Sequence, residues 1–268
     1  MTPQALTYFG PAPGPDGYSF YWSADPALIS VLLVLLVFGL TEARHRPAFC
    51  LAWLLLALAF ASPLAVLSGT LFSAFTLHHL LMVSVIAPLL AICLPLRLFR
   101  APLALVSTVA ALTMWYLPAA HSALWADARI FWLMQALLLA SATVFWSEVF
   151  AMMRGEILRD EWDQVLPGQY ETAGLRAAAV MTGALAAAMA LIGTMLVTSG
   201  RSFYPGDFAG VAAWDLDPLQ DQRLAGLLLW IPGLFPLALL VLVLLQSEPA
   251  QTRKEGRAAE GNRFSGQS

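Results

Sequence analysis

Apolar residues come along this chain in seven blocks, approximately 26–41, 47–67, 72–95, 101–120, 130–152, 175–198 and 224–245, each closed by charges, Pro or Gly. At ~1.5 Å of rise per residue, blocks of this size match the roughly 30 Å hydrocarbon core of a bilayer. The pattern predicts an all-α, polytopic transmembrane bundle of seven helices. It divides the chain into an N-terminal arm (1–25), a helical domain (26–246) and a polar, charged tail (247–268) expected to be disordered. The arm carries no Lys or Arg, so it lacks the positive region of a signal peptide and reads as a short exposed segment.

The connections set the orientation. Arg44 and Arg46, Arg97 and Arg100, Arg154, Arg159 and Arg176, and the tail residues Arg253, Lys254, Arg257 and Arg263 make up eleven of the fourteen Lys and Arg. All fall in alternate connections, and only Arg129, Arg201 and Arg223 fall in the others. The positive-inside rule then places the N-terminus outside in the periplasm and the C-terminus in the cytoplasm of a bacterial inner membrane. Tyr18, Tyr21, Trp22, Trp125 and Trp214 lie where interfacial aromatics belong on the outer side. The longest outer connection, 200–221, carries four Asp against Arg201 and reads as a solvated loop or as the counterpart of a basic partner.

Composition strengthens the membrane reading: 59% of residues are hydrophobic, 12% charged, and the mean hydropathy is +0.72. A net charge of −3 gives no footing for nucleic acid. Cys50 and Cys93 have no paired-ligand spacing and read as small apolar packers. Ala179, Gly183 and Ala187, at spacing four, offer a small-residue face for close helix contact. Pro232 and Pro236 predict a bend in the last helix, and Glu148 is read as a partner for Arg154.

Candidate chemistry gathers on the third block, FSAFTLHHLLMVSVIAPLLAICLP, where Pro88 predicts a kink. His78 and His79 lie about 10 Å down its axis, deep enough to face the bundle. Met82 stands one turn from His78, Met114 and His121 follow on the fourth block, and Met134 on the fifth. Imidazole and thioether donors in the outer third of three successive helices suit Cu(I), which prefers soft ligands. The plainer reading is packing, with each buried His bonded to a neighbouring helix. Thr76, Tyr116 and Gln135 are the nearest candidates for such bonds.

The run HHLLMVSVIAPLLAICLPLR resembles the signature helix, HMxQHLLLxxxAPLLxLGxP, of the seven-span CtaG family of cytochrome c oxidase assembly factors. Phe145–Trp146 and DPLQDQRLAGLLLWIPG (217–233) are similar to its fifth-helix FW and its seventh-helix DQxxAGxxMWxPG. The resemblance implies a part in producing active haem-copper oxidase, with oxidase subunits and the bilayer as partners and copper as the proposed cargo; the sequence shows no nucleophile, phosphate loop or catalytic dyad, so no enzymatic activity is expected. His79 matches the second histidine of the signature. Phe75 stands for the first and His78 for the glutamine, Tyr116 for the histidine of WHxP, and Phe131, Met134 and Gln135 for HxxEH. Two readings stay open: a site rebuilt for Cu(I) from His78, His79, Met82, Met114, His121 and Met134, or a scaffold or accessory oxidase subunit without metal. A rival, a b-haem electron carrier, would pair His78 or His79 with His121, although His121 sits at a helix end and His79 further in. A transporter lacks a continuous polar path.

Overall fold

The computed structural model describes residues 14–98, 100–156, 169–204 and 210–244. The tail at 247–268, the first part of the arm, Arg159 and Asp207 lie outside the described residues. Among those described there is no strand. The helices are α1 (Pro26–Glu42), α2 (Arg46–Ala61), α3 (Pro63–Ser68), α4 (Phe72–Cys93), α5 (Ala101–Met114), α6 (Pro118–Ala126), α7 (Ala128–Met153), α8 (Gln169–Thr198) and α9 (Pro218–Leu244). Four of them, α4, α7, α8 and α9, are long and apolar enough to cross a membrane; α1, α2 and α5 are shorter and apolar.

Two of the expected spans are each two helices. Block 47–67 breaks at Ser62, which is extended (ψ 172°) ahead of Pro63, and block 101–120 breaks at Leu117, extended (ψ 130°) ahead of Pro118. A proline disfavours helical geometry in the residue before it, and its ring then suits the first turn of the next helix. The same device starts α1, capped by Asp25 Oδ1 on Ala27 N (2.8 Å), and α9, where Asp217 and Gln220 form a reciprocal capping box.

Helix α4 packs against α2, α3, α7 and α9, and α7 in turn touches α4, α5, α6 and α8. The expected kink at Pro88 is a π-helical turn, Met82–Ile86. Ala87 N donates to Met82 O, five residues back, and Pro88 has no N–H, so the Val83 carbonyl loses both of its helical donors. Trp146 Nε1 of α7 fills the vacancy at 2.7 Å. Pro232 likewise sits in a π-helical turn, Leu229–Gly233, within α9.

Two packing expectations are corrected. A Cβ on Gly183 would meet nothing within 4 Å, and Ala187 is exposed, so the Ala179–Gly183–Ala187 stripe is not a close contact. The close approach is ten residues beyond Gly183: a Cβ on Gly226 of α9 would stand 2.7 Å from the Gly193 carbonyl oxygen of α8. The partner of Glu148 is Arg97 (Nε to Oε1, 3.2 Å), not Arg154, which pairs with Glu156 (2.5 Å). A helix end reaches across to the loop beside it more readily than to its own next turn. At this end of the bundle Arg154, first, and then Arg97 and Arg44 hold the Glu156 carboxyl below its ordinary range. At the opposite end Tyr18 packs on Trp214 with ring centroids 5.3 Å apart.

Candidate functional site

The start of α4 is held by α9. Asp221, 1% exposed, accepts from Phe72 N (2.6 Å) and Ser73 N (3.1 Å). These are free donors of the first turn of α4, where a carboxylate also meets the positive end of the helix dipole. Leu71, which precedes them, has no side chain able to cap. Its neighbour Gln222, fully buried, accepts from Phe203 N (2.7 Å) and donates to the carbonyls of Leu196 (3.2 Å) and Arg201 (3.4 Å). Tyr204, on the segment so fastened, donates to the Tyr116 carbonyl between α5 and α6, and its ring lies 4.4 Å from Phe72. The N-terminal end of the histidine helix is thus clamped by side chains of α9 and of the connection before it.

The two adjacent histidines diverge by the ~100° that separates successive residues of a helix. Their ring centroids are 6.3 Å apart and both residues are 1% exposed. His78 turns toward α2 and α7: Phe60 meets its ring edge-on at 5.0 Å, and the Gln135 side chain comes against it without hydrogen-bond geometry. Met82, fully buried, belongs to the same apolar cluster as Phe60. His79 turns toward α5 and α6, with Phe75 at 4.1 Å and Tyr116 at 6.1 Å. His121, fully buried on α6, packs on the other side of Phe75 at 4.9 Å and against Tyr204 at 4.9 Å.

All four ring nitrogens of His78 and His79 are buried without a hydrogen-bond partner, as is Gln135 Oε1. Thr76 and Tyr116, two of the anticipated partners, bond each other instead (3.3 Å). Of the thioethers, Met134 is fully buried in the main core with Phe75 and Tyr116, whereas Met114 is 39% exposed and lines a groove between α5 and α7. The structure therefore brings together His78 with Met82 and Gln135, and His79 with His121 across Phe75, and leaves Met114 apart. Among the described residues no three His, Cys, Asp or Glu side chains converge closely enough to hold a metal ion.

Sequence reasoning missed Asp221, Gln222, Tyr204 and Trp146 as residues that shape this site. Asp221 was read as one of four acidic residues of a solvated outer connection, which its burial corrects; Gln222 lies inside the DQRLAG run and Trp146 inside Phe145–Trp146, so both were visible as part of a motif but had no assigned task.

A family model described as cytochrome c oxidase caa3 assembly factor (Caa3_CtaG) matches residues 39–104 and 97–247. No curated protein and no solved structure matches.

Proposed function

The chain belongs to the cytochrome c oxidase caa3 assembly factor family, and from that premise we propose that it is a seven-span, non-catalytic membrane protein that presents Cu(I), as cargo, to a haem-copper oxidase subunit. The N-terminus is outside and the C-terminus cytoplasmic. Supporting this orientation, Arg44, Arg97 and Arg154 of three alternate connections gather around Glu156 at one end, while Tyr18 and Trp214 meet at the other. The helices α1, α2 and α5 complete the count of seven with the four long ones, α5 reaching further through the α6 turn.

The observation that carries the copper reading is the pair of buried imidazoles with no bonded nitrogen. Buried polar groups are nearly always satisfied, and an unmet one in an apolar interior is costly. Cu(I) taken up at His78, with Met82 as a thioether neighbour, or at His79, on the side of His121, would satisfy these nitrogens without requiring a charged ligand. Phe75, Tyr116 and Tyr204 exclude water around His79.

The test is a reduced-minus-oxidised spectrum of membranes from a deletion strain carrying either the wild-type or the His79→Ala gene, with Cu(I) binding to the purified proteins measured against a chromogenic chelator. Restored oxidase haem signal and Cu(I) binding with the wild type alone support copper handling at His79. Rescue by both genes means that the bundle acts as a scaffold without metal, and an unchanged signal on deletion removes the assembly role.

A further inference from the structure

Helices α5 and α7 run antiparallel and leave between them a groove of about 360 Å³ that the function proposed above does not use. Its walls are Ser107, Ala110 and Met114 on α5 and Leu137 and Ser141 on α7, and Leu98 stands at the mouth nearest the basic end. The only hydroxyl protons on these walls are already committed: Ser107 Oγ donates to Ala104 O (2.9 Å) and Ser141 Oγ to Leu138 O (3.1 Å). The groove therefore offers apolar walls and no unmet donor. Its volume falls at the lower part of the roughly 300–1,000 Å³ range of small-molecule sites.

Two arginines flank Leu98. Arg97 is engaged with Glu148 and, at 3.9 Å, with Glu156. Arg100, exposed at the start of α5, forms no ion pair among the described residues. An exposed cation with no ion pair among the described residues thus lies two residues along the chain from Leu98 of the apolar slot, at the level where headgroups of the cytoplasmic leaflet lie if the basic end faces inward.

We propose that this groove holds one acyl chain of an anionic glycerophospholipid whose phosphate sits on Arg100. The charge arrangement is the one that recruits acidic headgroups between transmembrane helices. A partner helix, the other occupant an apolar groove could take, would draw nothing from the arginine beside Leu98 and is distinguished by the test below. The inference depends on the membrane orientation given above and not on oxidase assembly, so either can fail alone.

The test uses the full-length protein in a neutral detergent, titrated with palmitoyl-oleoyl phosphatidylglycerol or with the matching phosphatidylcholine, and read by native mass spectrometry as retained lipids per protein. The expected result is one tightly retained phosphatidylglycerol and weaker phosphatidylcholine. Arg100→Gln should weaken the phosphatidylglycerol adduct about fivefold, roughly one basic side chain's worth at an anionic surface, and leave phosphatidylcholine unchanged. Ala110→Trp, which fills the slot from an exposed position, should remove the adduct of both lipids. Arg100→Gln lies on the surface and keeps the test decisive should the Trp variant misfold. Equal retention of the two lipids by the wild type, or an adduct that survives Ala110→Trp, overturns the proposal. So does a Trp variant that binds lipid normally yet loses a co-purifying membrane protein, which would assign the groove to a helix.

Discussion

Replacing Asp221 with Ala removes the carboxylate that holds the first turn of the histidine helix. Two charge-assisted bonds are lost, at 2.6 and 3.1 Å, in a place where Phe72 and Ser73 are buried and water cannot readily take over. Hydrogen bonds to charged groups contribute about 1.5–3 kcal/mol each, and relief from burying the charge offsets part of that sum. A net loss of about 2–4 kcal/mol follows, or roughly 5–15 °C in melting temperature for a chain of this size. Asp221→Asn keeps one acceptor oxygen and should lose about half as much. The assay is thermal unfolding of the detergent-solubilised protein by intrinsic fluorescence, alongside amide exchange of residues 72–76. The Ala variant should exchange faster at these amides while α8 stays protected. A melting temperature unchanged within a degree or two, with unaltered exchange, would refute the view that α9 clamps α4 through this side chain.

Other perturbations follow from the same contacts. Trp146→Phe keeps the ring but strands the Val83 carbonyl left without donors by Pro88; about 1–3 kcal/mol should be lost in thermal unfolding, and a normal melting temperature would mean that water serves the carbonyl. Phe75→His places a third imidazole between His79 and His121, whose rings lie 4.1 and 4.9 Å from Phe75, and should raise copper or zinc affinity in a chelator competition; no gain would show that the backbone holds these rings too far apart. Arg97→Gln leaves the Glu148 carboxylate, only 5% exposed, without its partner; because Arg97 itself is 41% exposed and screened, the cost should be about 1–2 kcal/mol, largely recovered by adding Glu148→Gln in a double-mutant cycle. The Arg-bound Glu156 carboxyl titrates below its unfolded value, so its small contribution is present above that value and fades as pH falls through the lower, folded one; its exposure limits the change to less than about 1 kcal/mol, measurable as a shallow acid-side slope removed by Glu156→Gln.

The all-helical character and the four long apolar helices were legible in the residue order, because a bilayer-sized apolar block is a local property. The sequence also marked the boundary set by Pro26, but it drew one span through Pro118 and began the last at 224, where the structure starts new helices at Pro118 and Pro218. It named His78, His79, His121 and Met82 as buried donors, since depth along a helix follows from rise per residue. What it could not state is azimuth relative to neighbours. Whether Gly183 or Gly193 meets another helix depends on which face α9 covers, and the structure chose Gly193. Whether Glu148 pairs with Arg154 or Arg97 depends on a loop more than forty residues earlier, and the loop prevailed. Asp221 acts on amides 149 and 148 residues away, a relation no spacing rule contains. The separation of Met114 from the histidines, and the insertion of Phe75 between His79 and His121, were likewise settled only when five helices packed, because side-chain convergence in a bundle is fixed by inter-helix contact and not by the period of any one helix.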